Sequence, residues 1–260
     1  MTFTAIGLVA FLASALTLYS GFGLGTILLA AFSIFFPVPV AVAASAVVHL
    51  LNNLFKGSLL GRQADWSIVV RFGLPAIPAA IAGAALLAYL GSTSRLFVWE
   101  AYGHVYGPTA AGLTIGALMF LFAALELQPW FQRLAAPPGL LPLGGMLTGF
   151  FGGLTGQQGA LRSMFLLRSG LEPSRFIATG VLIAVLVDLS RIPAYAETIG
   201  GGGLAGVDWR LIAFATLCAF AGAFLGTRYL TRATIGIVRG MVAGLMFIIG
   251  AALVAGMIGS

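Results

Sequence analysis

Polar side chains recur at helical spacing inside one apolar run of this chain, where they could bind a small ligand. His49, Asn52, Asn53 and Lys56 lie at positions i, i+3, i+4 and i+7, so a helix would place them on one face. A polar stripe on an apolar helix must face the interior of a bundle or a water-filled cavity. The sequence therefore predicts that His49, Asn52 and Asn53 belong to a binding site, with an interhelical hydrogen bond as the alternative role of His49. The long side chain of Lys56 is expected to reach the surface.

Two glycine-rich stretches could supply backbone N–H groups to the same site. They read SGFGLGT at residues 20–26 and GGLTGQQGALR at residues 152–162. Glycine costs a helix interior about 1 kcal/mol relative to alanine, so these glycines either break a helix or let another helix pack closely. A break exposes N–H groups at the start of the next half-helix, and these groups and the helix dipole favour an anion. The residues that these stretches predict for the site are Gly21, Gly23, Gly25, Thr26, Thr155, Gly156, Gln157 and Gln158.

Three charged residues complete the candidate set. Arg162 follows the second glycine stretch within an apolar segment, and a charged side chain at such a place marks a functional site. Its two roles left open are substrate binding and an internal ion pair with Asp188. Asp188 and Arg191 are three residues apart, which predicts that they pair. Asp188 could also carry the proton of a coupled transport step.

Composition places these residues in a membrane protein. The chain of 260 residues is 60% hydrophobic and 8% charged, and its mean hydropathy is +1.07, whereas a soluble domain has about 25% charged residues. Apolar runs of about 20 residues, the length of a membrane-spanning helix, recur along it. One cysteine excludes an internal disulfide, and no nucleotide-loop, HExxH or CxxC motif is present. We therefore predict no catalytic residue, no metal, no cofactor and no nucleic-acid partner.

The apolar segments form two similar halves. The segments are 5–36, 38–60, 69–91, 108–127, 139–167, 174–196, 209–231 and 233–258. A proline-containing linker at 128–138 separates a first repeat, 1–127, from a second repeat, 139–260. ADW in the first half corresponds to VDW in the second, and LNNLFK corresponds to LVDLSR. Polar landmarks in the same order indicate a duplication.

The segments 5–36 and 139–167 admit two structures. Each has about 30 residues with glycines near its middle, so it is either a long kinked helix or a re-entrant hairpin. Hairpins place nine basic residues near segment ends, Lys56 among them, on one face and three, Arg95, Arg191 and Arg210, on the other, whereas eight full spans divide them evenly. The positive-inside rule favours the hairpins. The predicted fold is an all-α polytopic membrane protein of two inverted repeats, each a re-entrant helical hairpin plus three transmembrane helices, with both termini periplasmic.

The stretches GFGLGT, HLLNNLFK and GMLTGFFGGLTGQQGAL resemble the TauE/SafE family of sulfite exporter-like membrane proteins. The resemblance covers nearly the whole chain. It implies movement of a small sulfur-containing anion, such as sulfite or an organosulfonate like sulfoacetate, across the bacterial inner membrane. The pairs Asn52–Asn53 and Gln157–Gln158 match polar positions of the family approximately.

These observations together predict a secondary transporter that works by alternating access. The alternatives are an anion channel, which would not saturate, and a membrane enzyme or assembly subunit without transport activity. The expected partners are a small anionic substrate and membrane lipid, and a homodimer is left open.

Overall fold

The computed structural model describes residues 2–20, 23–198, 207–229 and 235–259. Its helices are α1 Thr2–Ser20, α2 Leu24–Ser33, α3 Val38–Leu60, α4 Trp66–Gly91, α5 Ala110–Leu127, α6 Pro129–Arg133, α7 Leu141–Thr155, α8 Gly159–Leu166, α9 Pro173–Thr198, α10 Trp209–Tyr229 and α11 Ile235–Val254. Short 3₁₀ turns lie at Gly61–Gln63 and Pro138–Leu140. The described parts of the apolar segments are therefore mostly helical.

Five helices are long and apolar enough over their described residues to cross a membrane, namely Val38–Gln63, Trp66–Gly91, Ala110–Leu127, Pro173–Ala196 and Trp209–Gly226. Shorter apolar helices are Thr2–Thr17, Leu24–Ser33 and Arg239–Val254, and the last lies within the sixth expected span. Large apolar side chains such as Leu74, Leu217 and Ile248 point outward and are more than half exposed. An apolar exterior of this kind fits a lipid environment. The chain is an all-α polytopic membrane protein.

Both glycine-rich segments fold back on themselves at a glycine. Gly23 and Gly156 have φ angles of 102° and 77°, a left-handed conformation that glycine adopts without steric cost. At the ends of the second segment, the Ala136 N–H donates to the Met164 carbonyl at 3.2 Å, and a methyl group on Gly144 would overlap the Phe165 ring. The start of α7 and the end of α8 are therefore neighbours.

The first segment returns in the same way. Near the start of α1, Gly7 lies against Phe214 of α10. Beyond the end of α2, Phe36 lies in a pocket with Val207 and Leu211, where α10 begins. Both ends of the segment thus lie at the same end of α10.

Backbone contacts through glycine position both folded segments. The glycines of α7 that face the carbonyl oxygens of Phe72, Ala76 and Ala80 in α4 are Gly145, Gly149 and Gly153. Those of α10 that face Phe11 and Ala15 of α1 are Gly222 and Gly226. In both pairs the contacts advance in the same direction along the two helices, so α7 runs parallel to α4 and α1 runs parallel to α10. Close packing through small residues is common between membrane helices.

Two further helix pairs run antiparallel. In α3 and α9, His49 contacts Asp188 while Gly57 faces Val181. In α5 and α11, Gly112 lies against the Leu253 carbonyl, and the rings of Phe120 and Phe247 are 5.6 Å apart. Each of these pairs joins one helix of the first half to one of the second.

The connection between α4 and α5 contains a short hairpin that the sequence did not predict. Strands β1, Trp99–Ala101, and β2, His104–Tyr106, pair antiparallel. The Trp99 indole N–H donates to the Ala255 carbonyl at 2.9 Å, so the hairpin is attached to the end of α11.

Candidate functional site

The two glycine turns meet at the centre of the bundle. We call residues 23–26 the first glycine turn and residues 155–159 the second; Gly21, which the sequence also assigned to the site, lies outside the described residues. A methyl group on Gly25 would lie 3.1 Å from the Gly156 carbonyl oxygen and 3.5 Å from Cδ2 of His49. Stretches more than 100 residues apart in the sequence are thus in contact.

A helix begins at each turn. The first backbone donors of α2 and α8 are the N–H groups of Ile27, which bonds to Gly23, and Arg162, which bonds to Gln158. The preceding N–H groups, at residues 24–26 and 159–161, come before the first intrahelical bond. Neither helix has a side-chain hydrogen bond at its cap. The positive ends of two helix dipoles therefore meet at the centre.

The carboxylate of Asp188 is completely buried and connects three helices beside the turns. Its Oδ2 is 2.6 Å from Nδ1 of His49 in α3. Its Oδ1 accepts hydrogen bonds from Gln158 Nε2 at 3.1 Å and from Arg191 Nη2 at 2.7 Å. The sequence-predicted pair of Asp188 and Arg191 is present, and it extends to two residues from elsewhere in the chain.

Arg191 also holds the end of α7. Its Nη1 donates to the Gly152 carbonyl at 2.6 Å, and the hydroxyl of Tyr195, one turn later in α9, donates to the Gly153 carbonyl. The Gly153 carbonyl is one that α7 leaves free at its C-terminus, whereas the Gly152 carbonyl also accepts from the Gly156 N–H at 2.9 Å. Sequence reasoning missed Tyr195, although a polar ring at position i+4 from a buried arginine was a signal. It also counted Arg191 among the residues near a membrane face, whereas the side chain is 1% exposed at the centre.

The polar side chains of α3 face two different parts of the structure, the central cavity and helix α1. Asn53 Nδ2 lies 3.1 Å from Nδ1 of His49, and both side chains line the central cavity. Asn52 instead accepts a hydrogen bond from Ser14 of α1 at 3.1 Å and is fully buried away from the cavity. Asn52 lies on the side of α3 that contacts Ser14 of α1, so its side chain points away from the cavity.

The central cavity holds most of the predicted site residues. Backbone of both glycine turns lines it, and its polar lining side chains are Thr17, Thr26, His49, Asn53, Lys56, Gln158, Arg162 and Ser163. It offers a volume of about 40 Å³ to the centres of water molecules, roughly three times what a single water needs. The cavity therefore has room for a small ligand.

The charges on this cavity are positive. Lys56 and Arg162 line it and are each 6% exposed, so Lys56 does not reach the surface as expected. Among the lining residues that the structure describes, none is an aspartate or glutamate. Asp188 forms its ion pairs with Arg191 and His49. Arg162 interacts with the charge of the same carboxylate.

A smaller cavity adjoins the first glycine turn. Gln157 and Glu126 line it together with Gly23 and Thr26. Within the described part of the chain, neither polar atom of the Gln157 side chain has a hydrogen-bond partner. Glu126, which sequence reasoning missed, is 7% exposed and interacts electrostatically with Arg239 of α11. A carboxylate that ends an otherwise apolar helix was the available signal.

Thr155 serves the second turn itself. Its hydroxyl donates to the Phe151 carbonyl at 2.9 Å and accepts from the Gln157 N–H at 3.2 Å. It stabilises the end of α7 and does not line the central cavity.

A family model described as sulfite exporter TauE/SafE matches residues 6–253, nearly the whole chain. The chain belongs to the TauE/SafE family. No curated protein and no solved structure matches it. Membership confirms the resemblance seen in the sequence and implies a multi-pass membrane transporter of sulfur anions rather than an enzyme.

The buried ion pair offers a direct test of this network. Arg191→Gln leaves the Asp188 carboxylate buried without its cation, so we expect a loss of about 3–5 kcal/mol in the free energy of unfolding. Asp188→Asn in the same chain removes the stranded charge and should recover much of that loss. Thermal unfolding in detergent measures both.

Arg175→Gln is the matched control, because Arg175 pairs with Asp65 at 3.1 Å while its side chain is 49% exposed. A surface pair contributes about 0–1 kcal/mol, so its loss should be small. Additive losses in the Arg191→Gln, Asp188→Asn double variant would contradict the coupling.

Proposed function

We propose that this protein is a secondary transporter that moves sulfite, or an organosulfonate such as sulfoacetate, across the bacterial inner membrane by alternating access. The observation that carries the proposal is the central cavity, where two helix N-termini and two buried cations meet without a lining carboxylate among the described residues. A small anion is the ligand that this combination stabilises.

The hydrogen-bond donors around the central cavity can replace the water molecules that solvate an anion. Free N–H groups at the starts of α2 and α8 donate to its oxygens, and the dipoles of both helices favour negative charge. Arg162 presents several donors in a plane, which suits the oxygens of a sulfite or sulfonate group. Lys56 adds a compact charge from α3. The small cavity volume favours an anion of few atoms.

We further propose that the chain consists of two inverted repeats, 1–127 and 139–260, joined by the linker 128–138. The pairing of helices supports this division, because α1 packs on α10 just as α7, its counterpart, packs on α4. The counterparts α3 and α9 run antiparallel, and so do α5 and α11. Opposite directions for each pair of counterparts are what an inverted repeat requires.

In this proposal α1–α2 and α7–α8 are re-entrant hairpins that enter from opposite faces. Exposed basic residues at one end of the bundle are Arg62, Arg71, Arg168 and Arg175, whereas Arg95 and Arg210 lie at the other. The positive-inside rule makes the first end cytoplasmic and both termini periplasmic. Lys56 and Arg191 are buried and do not belong to either face, but without them the basic residues near segment ends still favour the same face.

The observed conformation is then the one that faces the cytoplasm. The cavity extends from the glycine turns toward Leu166, Phe176 and Ile177, at the end of α8 and the start of α9. Contact between Gly25 and Gly156 closes the other side. Rocking of one repeat against the other would separate the two turns and open the periplasmic side.

Anion binding and Arg162 can be tested together. Sulfite, sulfonates and carboxylates should raise the melting temperature of the purified protein in a saturable way. Arg162→Lys keeps the charge and loses the planar donors, whereas Arg162→Gln loses both. We expect affinity to fall in the order wild type, Lys, Gln, by about 2–4 kcal/mol in total.

Arg175→Gln, outside the cavity, should bind like the wild type. Unchanged affinity in Arg162→Gln would contradict the ligand role of this arginine, and an absence of saturable binding or flux would contradict the transporter.

Cysteine labelling tests the orientation. In a Cys218→Ala background, single cysteines in place of Thr2 and Ser260 should react with a membrane-impermeant reagent added to intact cells. A cysteine in place of Glu172, between α8 and α9, should react only after the cytoplasmic face is exposed. The reverse pattern would contradict the periplasmic termini and the hairpins.

A further inference from the structure

The groups around the central cavity carry an excess of two positive charges. Lys56, Arg162 and Arg191 are cations, and Asp188 is the one carboxylate among the described residues in contact with this group; the imidazole of His49 is left out of the count. Three positive charges and one negative charge leave a net charge of +2 in the described part of the site. All four charged side chains are at least nine-tenths buried.

Asp188 cannot neutralise the cations that face the cavity. Both of its oxygens are engaged by His49, Gln158 and Arg191, and Arg191 turns toward the end of α7. Arg162 also interacts with the Asp188 charge, but one carboxylate supplies only one negative charge.

Other charged groups near the glycine turns do not change this balance. Glu126 from α5 lies on the adjoining cavity, and its charge is opposed by Arg239 from α11. Lys56 and Arg162 act on each other across the central cavity. Buried like charges of this kind are unfavourable until an anion enters between them.

We propose that the central cavity selects anions that carry two negative charges over singly charged anions of the same shape. This inference rests on the anion site of the proposed function, and it specifies how many negative charges the substrate carries. A dianion supplies the two negative charges that balance the net charge of +2 in the described part of the site, whereas a monoanion supplies only one. Sulfite in its fully deprotonated form satisfies this condition, and so does sulfoacetate, with one carboxylate and one sulfonate.

The unequal chemistry of the two cations supports recognition at two points. Arg162 on α8 can donate two parallel hydrogen bonds to one anionic group, and Lys56 on α3 is a point charge on a flexible stem. Gln158 lines the same cavity, and its Oε1 has no partner in the part of the chain that the structure describes. This oxygen could accept a hydrogen bond from a ligand hydroxyl or from bound water.

Matched anion pairs test the selectivity on the full-length protein in detergent. Sulfate and methanesulfonate differ by one oxygen replaced by methyl, and sulfoacetate and isethionate differ by a carboxylate replaced by a hydroxymethyl group. Dissociation constants come from ligand-dependent melting temperatures at constant pH and ionic strength. We expect the dianion of each pair to bind about tenfold or more tightly than its partner, a difference of about 1.4 kcal/mol.

Lys56→Gln should remove most of this preference, because the loss of one cation weakens dianion binding about tenfold more than monoanion binding. Arg62→Gln, at an exposed position outside the cavity, is the control and should keep the wild-type preference. If Lys56→Gln does not yield folded protein, the wild-type comparison decides alone.

Equal affinity for both members of each pair would overturn the selectivity and leave the transporter proposal intact. Binding of no anion at all would instead overturn the proposed function. Loss of monoanion and dianion binding to the same extent in Lys56→Gln would show that Lys56 does not distinguish charge.

Discussion

The buried carboxylate of Asp188 is the interaction on which the rest of the structure depends. It receives His49 from α3, Gln158 from the start of α8 and Arg191 from its own helix. Because Arg191 in turn donates to the Gly152 carbonyl near the end of α7, one carboxylate is linked to both sides of the second glycine turn. Removing a buried charge from its partners is costly, so this network stabilises the observed arrangement of the two halves.

The positive character of the cavity follows from that network. Asp188 is already occupied, so the helix N-termini, Lys56 and Arg162 face the open space without a competing acidic side chain among the described lining residues. In a low-dielectric interior, the attraction between these positive groups and an anion is stronger than it is in water. A site that is poorly compensated when empty gains most from an anion, and this is the physical basis of the proposed transport.

The glycines of the two folded segments have two separate functions in the fold. Gly23 and Gly156 adopt left-handed conformations at the turns, whereas Gly145, Gly149 and Gly153 bring α7 against the backbone of α4. Sequence spacing could not separate these roles, because the first depends on backbone conformation and the second on which helix lies opposite.

Composition was enough to predict the class of the protein, and the resemblance of its glycine-rich and polar stretches to the TauE/SafE family predicted its family. Local spacing also predicted the ion pair of Asp188 with Arg191, since residues three apart on a helix are neighbours. The partners that come from distant segments, Ser14 for Asn52 and Tyr195 for the end of α7, were not predictable because their proximity is created by the fold. Lys56 was assigned to the surface because its burial depends on the position of α8 and α9.

The most direct test of the account is to locate a bound anion by anomalous scattering. Crystals of the protein grown with selenite, a heavier analogue of sulfite, would show a selenium peak wherever the anion binds. The account predicts a peak in the central cavity, in contact with the N-terminus of α2 or α8 and with Arg162. Peaks confined to the protein surface, with the cavity unoccupied at saturating selenite, would contradict it.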